Sequence, residues 1–409
     1  MSQHQSASAA SFETNSRLRL FGVHKLLILS CMALISASAR ISLAADTPPL
    51  QSDKLGLVST LPQQPGAHWI WVSDMVWIAM TDGRATLIDA DTGTMLGMLS
   101  TGYSFNSLSI PRRYGRVYSA ETYYTRYTRG KRTDVVTIYD MESLSPVGEI
   151  EIPPKRMSTT PKLSTASLTD DDRFMAVYNY TPAQSLSIVD VEARKLVAEV
   201  PTPGCALAFP AGDRKFFSLC GNGSLQILIL DDNGELADRR TSVPFFDVAS
   251  DPITEKGVRR GDRWFFPSYA GVVHTIDLSG KDVAFLETWS LLTPADRSGS
   301  WRIGGIQHLA VYRDGRRLYA LMHQGGQDTH HHPGTQVWVY DLETRQRIQR
   351  IELRVPATSI EVSQDDAPLL YAVHPDVAEL VVYDALSGKH LRTIPEVSIT
   401  PSLLQLPVS

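Results

Sequence analysis

One phrase returns seven times along this chain: a short β-branched strand, an aspartate, a small turn, then a second strand. The copies are ATLIDADTGTMLGML from position 85, VVTIYDMESLSPVGEI from 135, LSIVDVEARKLVAEV from 186, LQILILDDNGELADRR from 225, VHTIDLSGKDVAFLETW from 273, VWVYDLETRQRIQRIEL from 337 and LVVYDALSGKHLRTI from 380. Their marker aspartates are Asp89, Asp140, Asp190, Asp231, Asp277, Asp341 and Asp384. An Asp that ends a strand can accept a hydrogen bond from its own backbone two residues on. The small residue that follows supplies the unusual backbone angle, so the chain reverses tightly. Seven equivalent aspartates are therefore turn formers, not seven general bases.

Each copy is preceded by a further apolar strand: MVWIAM at 75, GRVYSAE at 115, RFMAVYNY at 173, RKFFSLC at 214, RWFFPSY at 263, RRLYALM at 316 and PLLYAVH at 368. A repeat of roughly 40 to 65 residues fits four short antiparallel strands, the period of propeller blades. The expected fold is all-β, a seven-bladed β-propeller of four-stranded antiparallel blades spanning 45–409. No long apolar stretch of helical period accompanies it. Thr293-Pro294 can open one helical turn. The longest gap between markers, Asp277 to Asp341, predicts an insertion holding that turn and the run Gly325 to Gly334.

The first residues follow another logic. Arg17, Arg19 and Lys25 precede the apolar run Leu26 to Ala37, and small residues follow. This is the pattern of a cleaved signal peptide, with the run too short to cross a bilayer. Cleavage after Ala39 or Ala44 is possible, and Ala45-Asp46-Thr47-Pro48 suits an exposed start, so 1–44 is assigned as the signal peptide and the periplasm as the destination. Removing it leaves 35 Lys+Arg against 43 Asp+Glu, a net charge near −8. An acidic surface argues against nucleic-acid binding. Cys205 and Cys220 remain, at the two ends of a plausible hairpin. An even count in an exported chain predicts a disulfide, two buried free thiols being the alternative.

Catalytic constellations are missing from the sequence: there is no Cys-x-x-Cys-His, no His-Glu-x-x-His, no Gly-x-Ser-x-Gly and no Gly-x-x-x-x-Gly-Lys. His330-His331-His332 with His323 is the one candidate metal cluster. Successive residues of an extended loop point in alternating directions, and no Cys or acidic ligand set accompanies them, so an exposed loop or subunit contact is the better reading. The stretch Glu121 to Asp134 is rich in Tyr and Arg, as interfaces are, though a solvated loop explains it equally. Trp69, Trp71, Trp77, Trp264, Trp289, Trp301 and Trp338 are read as packing residues.

Several phrases carry a resemblance. Thr128-Arg-Gly-Lys-Arg-Thr-Asp-Val-Val136, Glu149-Ile-Glu-Ile-Pro-Pro-Lys-Arg156, Gly204-Cys205 with Cys220-Gly-Asn-Gly-Ser224, Trp289-Ser-Leu-Leu292, Trp301-Arg-Ile-Gly-Gly305, and Met322-His323 with Thr329-His330 occur in order along the chain. Together they resemble the heavy subunit of the tryptophan-tryptophylquinone amine dehydrogenases. The Pro-Pro-Lys-Arg, Trp-Ser-Leu-Leu and Met-His…Thr-His phrases look closer to the aromatic (aralkyl) amine enzyme than to methylamine dehydrogenase. The resemblance implies two heavy and two cysteine-rich light subunits, with the tryptophan tryptophylquinone on the light chain and neither cofactor nor catalytic residue on this one. It also implies that a primary amine is oxidised to aldehyde and ammonia, and that a copper protein of the azurin or amicyanin type takes the electrons. Thr101-Gly-Tyr103 aligns with the segment whose aromatic, usually Phe, lines the substrate channel, and Cys205 and Cys220 match the family's heavy-chain disulfide. Two rival readings are a stand-alone periplasmic scaffold propeller and, less well supported, a pyrroloquinoline quinone dehydrogenase, whose tryptophan-docking motif is not repeated here.

Overall fold

Seven antiparallel sheets follow one another along the chain in a computed structural model that describes residues 59–280 and 282–408. The segment assigned as signal peptide, 1–44, lies outside the described residues. Blade 3 sets the pattern, with neighbours in chain order: Ala166–Leu168, Phe174–Asn179, Ser185–Asp190 and Lys195–Pro201. Blades 2, 4 and 7 are also four-stranded, and the inner strand of blade 4 is Cys205–Gly212. Blades 5 and 6 differ from the expected four by one short strand each. In blade 5, Ala284–Phe285 and Trp289–Ser290 share one neighbour, and in blade 6 Trp301–Ile303 and Leu309–Tyr312 share another, so each blade keeps four positions.

Blade 1 is completed from the far end of the chain. Pro401–Gln405 pairs with Trp69–Asp74, with Val72 opposite Leu404. The Asp74 carboxylate locks the junction by accepting from Ile399 N at 2.6 Å, Thr400 N at 3.0 Å and the Thr400 hydroxyl at 2.7 Å. Here the expected strand at 75–80 is corrected. The strand is Trp69–Asp74, and Trp77–Ala79 is a single 3-10 turn entered through Val76 at φ 41°. Its apolar composition reads as a strand, but the Asp74 carboxylate also accepts from Val76 N at 2.7 Å, which turns the backbone out of the sheet.

The aspartate hydrogen bonds take the expected form, but the left-handed residue is not always small: Leu144, Arg194 and Arg345 hold it at φ 51°, 53° and 59° in the turns after Asp140, Asp190 and Asp341, where a glycine or serine is expected. In all seven, the marker carboxylate accepts a backbone N–H two or three residues on, at 2.6 to 3.0 Å. Thr293 caps the one α-helix among the described residues, Pro294–Ser298, reciprocally with Asp296. The outer strand of each blade is the most exposed, and blades stack through aromatic side chains. Between blades 4 and 5, Phe209 and Phe217 stack at 4.9 Å and meet Trp264 edge-on at 5.3 and 5.7 Å. Each such buried ring contributes about 1.5–3 kcal/mol, which no blade obtains alone. Trp69, Trp71, Trp264 and Trp338 are buried, and Trp289 and Trp301 are half-buried against the cluster that holds Trp338. Outer strands such as Leu236–Thr241 put charge on the exposed edge, which discourages edge-to-edge pairing.

Antiparallel neighbours divide the connections between two ends. The aspartate turns lie at one. The second-to-third turns and the connections between blades lie at the other, called here the loop face. On it fall Tyr103, the tip of the Arg116–Asp140 hairpin, Cys205 with Cys220, and the His330 run.

Candidate functional site

Strands Arg116–Arg126 and Arg129–Asp140 of blade 2 are about twice as long as the six-residue strands of blade 3, so their hairpin projects beyond the sheet. Tyr127 at its tip is 84% exposed and Tyr123 is 41% exposed. The Tyr- and Arg-rich stretch of the sequence is thus a projecting arm, not a loose connection.

Tyr103 stands at the base of this arm. Its amide donates to Thr122 O at 2.9 Å, and its ring packs edge-on against Tyr124 at 5.3 Å. Gly102 precedes it at φ 74°, where an added Cβ would stand 3.0 Å from Thr122 O, so the close approach of loop and strand requires glycine. Behind it lies a polar network that sequence reasoning gave no role, although two members, Asp134 and Arg156, sit within the phrases carrying the resemblance. Thr122, Asp134 and Arg156 are essentially buried. Asp134 accepts from Arg132 Nε at 2.8 Å and Nη2 at 2.7 Å, from the Thr122 hydroxyl at 2.8 Å and from Arg156 N at 3.1 Å. The Arg156 side chain donates to the Thr122 hydroxyl at 2.7 Å and to Asn106 Oδ1 at 2.5 Å, and approaches Tyr103 O at 3.5 Å. Burial pushes its guanidinium down to about 10, with Asp134 opposing, so it remains a cation at neutral pH. A fixed positive charge therefore sits directly beneath the Tyr103 loop.

From Tyr103 the face continues without a break. The Ser104 hydroxyl donates to Ser158 O at 2.7 Å and Ser107 to Leu163 O at 3.1 Å, tying the loop to the connection that bears Lys162. Lys162 is ion-paired with Glu255, and the neighbouring Lys256 donates to Gly305 O at 2.7 Å. Neither lysine stood out in the sequence, because nothing in their local pattern marks them.

The histidines do not converge. His330 stacks on Tyr269 at 3.8 Å and on His331 at 4.0 Å, whereas His323 accepts or donates through Nε2 to Thr329 at 2.8 Å. Among the described residues, no three His, Cys, Asp or Glu side chains are grouped to hold a metal ion. Burial holds His323 and His330 down at about 4, so both are neutral at physiological pH. Cys205 and Cys220 are paired across two neighbouring strands and joined by a disulfide. That bond ties the inner strand of blade 4 to its neighbour at the loop face.

Known proteins of two kinds are similar to this chain. Among solved structures, a protein from Lactobacillus plantarum superposes with a TM-score of 0.59 at 12% identity over 83% of this chain and 98% of its own. One from Desulfotomaculum acetoxidans gives 0.56 at 13% identity over 83% and 98%. At these identities they speak for the fold alone. By sequence, a methylamine dehydrogenase heavy chain from Methylobacillus flagellatus is 30% identical over 92% of this chain and 96% of its own length. That from Paracoccus versutus is 32% identical over 83% and 79%. The family profile described as methylamine dehydrogenase heavy chain matches residues 66–406, the whole propeller from its first strand to its closing one. The chain belongs to the methylamine dehydrogenase heavy-chain family.

Proposed function

We propose that this chain is the large subunit of a periplasmic amine dehydrogenase, exported by removal of 1–44 and assembled as two heavy and two light chains. It holds a cysteine-rich light subunit that carries the tryptophan tryptophylquinone, and it shapes the substrate entrance through Tyr103. Family membership across residues 66–406 carries the reading. When present on the light chain, the quinone supplies the two-electron acceptor for the oxidation of a primary amine to aldehyde and ammonia. A copper protein of the azurin or amicyanin type then takes the electrons away.

This chain's residues contribute position and exclusion. The half-buried Tyr103–Tyr124 pair offers an aromatic wall. The Arg156–Asp134 network holds the loop beneath it, so the ring keeps one orientation without ordering on binding. Exposed Tyr123 and Tyr127 on the projecting hairpin have the character of interface anchors.

We favour aralkylamines over methylamine, on the Pro-Pro-Lys-Arg156, Trp289-Ser-Leu-Leu and Met-His323…Thr-His330 phrases. An aromatic wall is well matched to an aromatic substrate. Purification from the periplasm tests the whole reading: a small subunit with quinone absorption co-elutes, and amine-dependent dye reduction follows it. A solitary, colourless chain refutes it. A kcat/KM for methylamine above that for phenylethylamine overturns the substrate preference alone. Changing Tyr103 to Ala shifts the amine profile with the fold intact, and an unaltered profile removes Tyr103 from the channel.

A further inference from the structure

The His330 run and the two lysines beside it are left without a task by the reading above. Three connections of the loop face bring them together: the one before blade 3 with Lys162, the one before blade 5 with Glu255 and Lys256, and the long turn of blade 6 with His330 and His331. Two ammonium groups meet one carboxylate here. Glu255 pairs with Lys162, and no carboxylate pairs with Lys256 among the described residues. An ammonium group is a donor only. Lys256 Nζ donates to Gly305 O at 2.7 Å and lies 3.4 Å from His331 Nδ1, which leaves its third hydrogen without an acceptor among the described residues.

With Lys256 as the ammonium, that contact favours one tautomer. When the ammonium donates, His331 Nδ1 presents its lone pair and the ring proton sits on Nε2, a second donor. Next to it, Nδ1 of His330 is buried and has no hydrogen-bond partner among the described residues. The surroundings thus combine an uncompensated cation, imidazoles kept neutral chiefly by burial and further by that cation, and unused hydrogen-bonding capacity. A small oxyanion satisfies all three, whereas a cation would be repelled.

We propose that the loop face carries an oxyanion site centred on the Lys256 ammonium and walled by His330 and His331, and that its ligand is a carboxylate. Burial holds Lys256 down at about 8. The carboxylate comes either from a free organic acid or from a side chain of a docked subunit, and one experiment separates these sources.

The rate of reductive methylation at Lys256, read by mass spectrometry on the purified full chain at pH 8, is compared without and with acetate or sulfate, Lys215 serving as internal control. A bound anion that raises the Lys256 pKa by about one unit lowers the neutral, reactive fraction from half to a tenth, a slowing of about fivefold with Lys215 unchanged. Calorimetric binding of acetate is abolished in Lys256→Met. If that variant does not fold, the labelling of the unchanged chain decides alone. In the complex purified from periplasm, protection of Lys256 without added acetate assigns the carboxylate to the partner, and protection only on adding acetate assigns it to a free acid. No protection by either anion, in chain or complex, overturns the proposal, while the amine dehydrogenase reading stands or falls separately on its own assay.

Discussion

Asp296 offers the sharpest quantitative test of how this fold is held. It is 4% exposed, on the short helix leading into blade 6. Its carboxylate accepts from Arg347 Nη1 at 2.7 Å, from Thr293 N at 2.9 Å and the Thr293 hydroxyl at 2.7 Å, and from Arg350. Both guanidiniums lie over the Trp338 ring, at 4.2 and 4.3 Å. Burial alone would raise the pKa, but the Arg347 and Thr293 hydrogen bonds outweigh it and hold the group at about 2, against 3.8 for a free carboxyl. A depressed acid stabilises the fold fully above its unfolded pKa and loses that contribution as pH falls through its folded one. At neutral pH the difference is worth about 2 kcal/mol, and near pH 3 about half of that. Asp296→Asn removes the charge while keeping shape and part of the cap. Its cost in urea denaturation is therefore about 2 kcal/mol at pH 7 and about 1 kcal/mol at pH 3. A penalty identical at both pH values would show that the ion pairs contribute nothing and that only packing was disturbed.

Three further outcomes are expected. Arg156→Met leaves the Asn106 carbonyl and the buried Thr122 hydroxyl without their guanidinium donor beneath Tyr103, and costs about 1–3 kcal/mol. A thermal midpoint unchanged by it would mean that the network is solvated. Replacing Cys205 and Cys220 together with Ser reopens a link between residues 15 apart and costs about 3 kcal/mol in the chain-entropy model, read by denaturation under non-reducing conditions. Asp341→Ala removes the acceptor of Glu343 N and Thr344 N and lowers stability by about 1 kcal/mol without touching amine turnover, whereas a loss of turnover at native stability would argue against a pure turn role.

How much of this was legible beforehand depended on the distance over which each feature is specified. The seven aspartate turns were readable because an Asp and the amide it accepts from are two or three residues apart. The Thr293 cap and the Cys205–Cys220 hairpin are nearly as local. Residues 75–80 misled because their apolar character is that of a strand, and only the hydrogen bonds of Asp74 decide otherwise. Asp134 and Arg156 were visible as part of a phrase, but their burial beneath Tyr103 was not, since it depends on a loop from the preceding blade.

The sequence by itself determined the number of blades, their strand-turn-strand grammar and the family, since each is written in short segments repeated or matched along the chain. Tertiary structure alone decided which end of the chain closes the ring, where Trp69–Asp74 meets Pro401–Gln405 more than 300 residues away. It alone brought Lys162, Lys256 and His331 onto one face. The reason is physical: a propeller's connections converge only after closure, so groups that no local pattern relates become neighbours through the geometry of the ring.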